Sequence, residues 1–204
     1  MLKLYGISAS RAFRPLWLLE ELGLGYEHIP LDYRGQALQA PDYLALNPNA
    51  RIPTLVDGEL VLWESLAINL YLASRYGRAA GLWPATAAGE GRAYQWSFWV
   101  MTEVEHALLA VLFHRRVLPA AQRDLDKAAR NEGILRRPFG ILDAALKRDR
   151  WLADDHFTVA DLDVAAVLAW ARAARLELEP WPHLQQWLED CLARPAAQRA
   201  RRKP

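Results

Sequence analysis

The chain has 204 residues, 52% of them apolar and 24% charged, with 25 Lys and Arg set against 24 Asp and Glu. This is the composition of a chain that buries a core, long enough for one large domain or two small ones, and not that of a disordered or collagen-like polymer. The charge balance excludes the basic field of a nucleic-acid binder, and no apolar run approaches the roughly 18–20 residues of a membrane span, so neither nucleic acid nor membrane is an expected partner.

Leu2-Lys3-Leu4-Tyr5 reads as a short strand directly after Met1, with no basic-then-apolar leader. A helix follows, with Pro15 in its first turn, Leu16, Leu19 and Leu22 among its apolar set and Gly23 as its stop. Tyr26 to Leu31 reads as a second strand, and Pro41 to Leu46 as a short helix. Thr54-Leu55-Val56 and Leu60-Val61-Leu62 flank a turn at Asp57-Gly58, where glycine supplies positive φ, so this stretch is a hairpin. A helix from Ser65 to Tyr76 then meets Gly77. Residues 1–77 therefore have the order βαβ-ββα, an α/β domain.

Residues 78–90 are rich in Ala and Gly with little periodicity and read as a linker. From 91 to 204 strand-like alternation is absent, and amphipathic stretches break at Pro119, Asp149-Arg150 and Glu179-Pro180: an all-helical domain. Thr158-Val159-Ala160-Asp161 places a hydroxyl at a helix entrance and a carboxylate three residues later, a variant of the capping box. Leu162 to Trp170 is apolar almost all round, which predicts a central buried helix. A later helix covers Leu184 to Leu192. The four cations Arg199, Arg201, Arg202 and Lys203 read as a frayed, solubilising tail. The single cysteine, Cys191, precludes an internal disulfide and reads as a packed residue of that late helix. A cytoplasmic location is the expectation.

Glu64-Ser65 stands where the hairpin enters a helix. Free N–H groups, the helix dipole and a hydroxyl make an anion site there, although the same pair also serves as a plain helix cap. Glu103 and His106 form a Glu-x-x-His pair without a second half, which reads as structural. Tyr94, Trp96, Phe98, Trp99 and Met101 put aromatic and thioether groups on several sides of one helix. Some must face beyond it, toward an apolar ligand or a second subunit. No Gly-rich phosphate loop, zinc spacing or serine-hydrolase elbow is present.

Several segments, in order, resemble the glutathione S-transferase superfamily in its bacterial, serine-type, theta- or beta-like form. They are Leu4-Tyr5-Gly6, Ser10, Arg14-Pro15-Leu16-Trp17, Asn47-Pro48-Asn49-Ala50-Arg51-Ile52-Pro53-Thr54-Leu55, Glu64-Ser65-Leu66-Ala67-Ile68, Phe157-Thr158-Val159-Ala160-Asp161 and Trp181-Pro182-His183-Leu184. The resemblance implies a thioredoxin-like glutathione-binding domain over 1–77 and a helical domain carrying a pocket for an apolar electrophile. It implies glutathione as co-substrate with no metal, and a homodimer. It further implies that Ser10 donates its hydroxyl to the glutathione sulfur, with Ser8 and Tyr5 as rival donors. Ile52, before a cis Pro53, pairs with the cysteinyl backbone, Glu64 and Ser65 take the γ-glutamyl end, and Arg51 reaches toward the glycine carboxylate. A non-catalytic binding or scaffold protein on the same fold is the alternative.

Overall fold

The computed structural model describes all 204 residues and falls into two units: Met1–Trp83 together with Ala193–Pro204, and Pro84–Leu192. In the first unit four strands, β1 (Leu2–Tyr5), β2 (Tyr26–Ile29), β3 (Thr54–Asp57) and β4 (Leu60–Trp63), form one sheet in the order β2-β1-β3-β4. β1 runs parallel to β2, with Leu4 opposite His28, and antiparallel to β3, with Leu4 opposite Leu55. The parallel pair requires a crossover, which α1 (Phe13–Leu22) supplies. The helix closes where expected, at Gly23 with φ 63°, a left-handed position that suits glycine. α2 (Pro41–Leu46) has the predicted bounds, and α3 (Ser65–Tyr76) ends at Gly77.

The hairpin loop falls one residue later than the sequence indicates. Asp57 pairs with Leu60, so the loop is Gly58-Glu59, with Gly58 at φ 61°. Asp57 is therefore free to accept from two tyrosines of α3, Tyr71 at 2.8 Å and Tyr76 at 2.5 Å. Burial, then the neighbouring Asp57 carboxylate, pushes the Tyr71 hydroxyl up to about 12. The core of this unit lies between sheet and helices: Leu4, Leu16, Leu18, Leu19, Ile68 and Leu72 have no solvent exposure.

The second unit is all helix. α4 (Ala87–Trp99), a π-helical stretch (Val100–Glu105), α5 (His106–Leu112) and a second π stretch (Phe113–Val117) make one continuous helix of 31 residues. By length and mean hydropathy this helix passes for a membrane span, contrary to the expectation from apolar runs alone. Half of its most apolar window is buried, as in a core helix. α4 also starts inside the segment read as linker. Thr86 accepts from the Gly89 amide at 3.0 Å and caps the helix, so Gly89, one of the glycines that suggested a linker, is helical. A Cβ on Gly89 would lie 2.7 Å from Pro84, which explains why this helix position is glycine.

α6 (Leu125–Arg148), α7 (Val159–Ala174) and α8 (Pro182–Ala193) complete the bundle. α7 is the predicted central helix, with every residue from Val159 to Leu168 buried. Its capping box is complete, and the Asp161 carboxylate also accepts from the Leu152 amide at 3.0 Å and Trp187 Nε1 at 3.1 Å. Cys191 is buried in α8, as expected.

The basic segment read as a frayed tail is ordered. α9 (Pro195–Arg201) packs on α1 within the first unit. Arg194 forms a two-pronged pair with Glu21 at 2.6 and 2.9 Å, and Arg199 and Lys203 both reach Glu20, at 2.9 and 3.1 Å. These partners are more than 170 residues away in sequence, so local reading does not reveal them.

Candidate functional site

The turn between β1 and α1 carries the candidate thiolate donors. Gly6 opens it at φ +133°, and a Cβ there would lie 2.6 Å from the Cβ of Ala12 and 3.3 Å from that of Ile52. Glycine thus lets the end of β1, the mouth of α1 and the Ile52 loop close on one another. Tyr5 is half-buried and packs on Tyr43 with ring centroids 5.8 Å apart, in a cluster with Leu38 and Ile52. Ser8 is anchored: its hydroxyl donates to the Lys203 carbonyl at 2.7 Å and its amide to the Pro204 main-chain oxygen at 2.9 Å. Ser10 stands at the mouth of α1, half-buried. Its Oγ accepts from the Ala12 amide at 3.0 Å and donates to the Ile7 carbonyl at 2.7 Å. A hydroxyl has one proton, so serving a ligand requires Ser10 to turn its O–H away from Ile7.

The Ile52-Pro53 bond is cis, as the resemblance implied. The loop around it is held by a buried network. Tyr43 and Asn47 donate to the Arg51 carbonyl at 2.6 and 2.8 Å, and Asn47 Nδ2 also donates to Thr54 Oγ1 at 3.1 Å. The Ile52 side chain is buried, whereas no hydrogen bond within the chain uses its amide or carbonyl. An extended peptide laid alongside would find both groups available. The Arg51 side chain is exposed, and no hydrogen bond ties it to Glu64 or Ser65.

Glu64 has φ 72° and ψ 111°, a backbone conformation that L residues rarely adopt, and its side chain is exposed. Such a conformation costs on the order of 1–3 kcal/mol and concentrates at sites where geometry serves a ligand. Ser65 is the first residue of α3 and is buried; no side chain caps this helix. Its oxygen accepts from Arg14 Nη1 at 3.0 Å, which leaves its proton for another acceptor.

Arg14 is the participant to which sequence reading assigned no role. It is only 1% exposed, in the first turn of α1. The available signal was a lone cation inside the apolar run from Phe13 to Leu19. Through it the positive ends of α1 and α3 and a buried guanidinium lie together, an arrangement that favours an anion.

In the second unit, Glu103 and His106 are both exposed. Trp96 and Trp99 meet edge to face at 5.0 Å, while Tyr94 and Phe98 remain 44% and 65% exposed. Asp154, Asp155 and His156 bring three potential metal ligands within reach of one another. Asp154 already accepts from the Ala85 and Asp155 amides, and His156 Nδ1 is bonded to Asp155.

Known proteins match this arrangement along the whole chain. Residues 1–74 match the family model for the glutathione S-transferase N-terminal domain, and residues 101–195 that for the C-terminal domain. The chain is 38% identical to glutathione S-transferase 3 of Zea mays, over 97% of this chain and 92% of that protein. It is 33% identical to GstB of Escherichia coli K12, over 98% and 97%. The structure superimposes with a TM-score of 0.90, at 31% identity, on the theta class glutathione S-transferase of Xanthomonas axonopodis pv. citri with glutathione bound, covering all of this chain and 98% of that one. The chain belongs to the glutathione S-transferase family.

Proposed function

We propose that this protein binds glutathione on its first unit and holds the tripeptide's sulfur as a thiolate beside Ser10 for attack on an apolar electrophile. The observation that carries this reading is the convergence of three groups: a serine hydroxyl at the mouth of α1 that can turn from the Ile7 carbonyl, the unpaired main chain of Ile52, and the Ser65 hydroxyl backed by Arg14. Glutathione offers a matching set: a γ-glutamyl carboxylate and ammonium, a central peptide unit with its thiol, and a glycine carboxylate. The carboxylate of the γ-glutamyl end suits Ser65 and the α3 N-terminus, and its ammonium suits Glu64. The cysteinyl main chain pairs with Ile52, which sets the sulfur near the Ser10 turn. Arg51, beside that loop and exposed, serves the glycine carboxylate.

A free thiol has a pKa near ~8.5 and is only a few per cent ionised at neutral pH. A hydroxyl that donates to the sulfur, together with a helix N-terminus, favours the charged form. Because Ser10 Oγ accepts from the Ala12 amide, its O–H is polarised toward whatever it faces. Replacing the Ile7 carbonyl with a thiolate exchanges a neutral acceptor for an anionic one, the stronger bond of the two.

The test is turnover of a general aryl halide combined with retention on immobilised glutathione. A hydrogen bond to a charged group contributes about 1.5–3 kcal/mol, so Ser10→Ala is expected to cut kcat by roughly 10- to 100-fold while leaving the glutathione KM nearly unchanged. Retention without any turnover by the wild-type chain would point instead to a non-catalytic binding protein on this fold. The exposed pair Tyr94 and Phe98, one turn apart on α4, is the surface for a two-fold dimer. Light scattering should give twice the chain mass, and Phe98→Glu should reduce it to one.

A further inference from the structure

The turn that bears Ser10 also bears Ser8, and the two hydroxyls are used differently. Ser8 is held on both its amide and its side chain by the main-chain oxygens of Pro204 and Lys203. Those oxygens are delivered by a segment that is itself fixed to α1 at several points. Arg194 grips Glu21 with two hydrogen bonds, and Arg199 grips both the Glu20 carboxylate and the Glu20 carbonyl, at 2.9 and 3.0 Å. Lys203 pairs with Glu20 at 3.1 Å and lies 5.3 Å from the Tyr26 ring centre. Arg201 lies 5.3 Å over the Phe13 ring. Burial opposes the Glu20 charge, yet its two cationic partners outweigh that and hold the carboxyl below its ordinary range.

We infer that the segment Arg194–Pro204 positions the serine turn for catalysis, with Ser8 as the positioning residue through which it acts on Ser10. The inference rests on the reading of Ser10 as thiolate donor. The Ile7 carbonyl receives both the Ser10 amide at 3.1 Å and the Ser10 hydroxyl at 2.7 Å, so Ile7 to Ser10 forms one small turn. Ser8 lies inside that turn, and clamping it fixes where the Ser10 oxygen sits. The same clamp directs the Ser8 proton to Lys203, so it does not compete for the sulfur. Catalytic groups need placement to within about 0.5 Å, which a glycine-bounded turn without regular structure does not give by itself.

The experiment compares four variants of the full protein: Ser8→Ala, a chain ended after Arg202, Lys203→Gln as the control that keeps the carbonyl, and Ser10→Ala. Three quantities are read for each: kcat with an aryl halide, the glutathione KM, and the fraction of bound glutathione present as thiolate from its ultraviolet absorbance at neutral pH. One neutral hydrogen bond contributes about 0.5–1.5 kcal/mol, so Ser8→Ala should lose roughly 2- to 10-fold in kcat, and the shortened chain, which forfeits the partners of both the Ser8 hydroxyl and the Ser8 amide, at least as much. Thiolate fraction should fall in parallel with an unchanged KM, and Lys203→Gln, which gives up the pair with Glu20 but keeps the carbonyl and the Arg194 and Arg199 anchors, should lose less than the shortened chain. Thiolate fraction at the wild-type level in either of the first two variants overturns the inference. So does a loss in Ser8→Ala as deep as that in Ser10→Ala, which would make Ser8 a donor in its own right. If Ser10→Ala itself leaves the thiolate fraction intact, the reading of Ser10 fails first and the inference with it. A loss in Ser10→Ala with none in the other variants removes the inference alone.

Discussion

The entrance of α7 and the paired entrances of α1 and α3 use hydroxyl side chains to opposite ends. At the start of α7, Thr158 and Asp161 are fully buried, and every oxygen of the Asp161 carboxylate is taken: Leu152 and Trp187 donate to Oδ1, the Thr158 amide and hydroxyl to Oδ2. At the mouths of α1 and α3, Ser10 is half-buried, and the Ser65 proton has no acceptor within the chain. The first entrance is saturated and dry, the signature of a group that specifies the fold. The second holds hydrogen-bonding capacity in reserve, the signature of a site. Burial combined with the count of satisfied bonds separates the two roles, which residue type alone does not.

The comparison breaks most severely at Asp161. Asp161→Ala leaves two backbone amides and an indole N–H buried without their acceptor, so a loss of about 4 kcal/mol in the free energy of unfolding is expected from denaturant titration. Titration of the same residue gives the next largest effect. Burial pushes the Asp161 carboxyl up to about 6 despite the donors around it. The folded state therefore holds the proton more tightly than the unfolded chain, whose carboxyl lies near ~3.9. The stability this confers is fully present below about pH 4 and is lost as pH rises through about 6, an amount of about 3 kcal/mol. Unfolding curves of wild type and Asp161→Asn should converge or diverge by that amount between those limits, with the wild type losing ground as pH rises. A flat difference would show that the ionised carboxylate is fully compensated by its donors.

A smaller effect of opposite sign is expected at the other entrance. Glu64 is held at φ 72°, which glycine adopts freely. Glu64→Gly should raise stability by about 1 kcal/mol as the strained conformation is relieved, while the glutathione KM rises as the carboxylate is lost. A variant that loses stability would place Glu64 in the fold's support and not in its site.

Much of this was legible in the sequence where a local signal marks a local event. Gly23, Pro41, Gly58 and Gly77 punctuate the first unit because each sits at a turn or helix end. Thr158 and Asp161 announced their box because both partners lie within four residues. What escaped depends on distant partners or on packing. Gly89 suggested a linker, although Thr86 caps a helix through its amide and Pro84 demands the missing Cβ there. Arg14 is buried because Ser65, 51 residues on, receives its proton. The cations from Arg199 to Lys203 looked solvated because Glu20 lies nearly the whole chain away. Ser10 was named as donor from the motif, but the direction of its proton, toward Ile7, follows only from the folded turn.

The most direct test of the account is an ultraviolet titration of the glutathione thiol bound to the wild-type protein and to Ser10→Ala. The account predicts an ionisation well below the free thiol's ~8.5 in the wild type, and a return upward by about 1–2 units in the variant, the size of one charge-assisted hydrogen bond. An identical, still lowered value in both proteins would contradict it, since the sulfur would then be held ionised by something other than that hydroxyl.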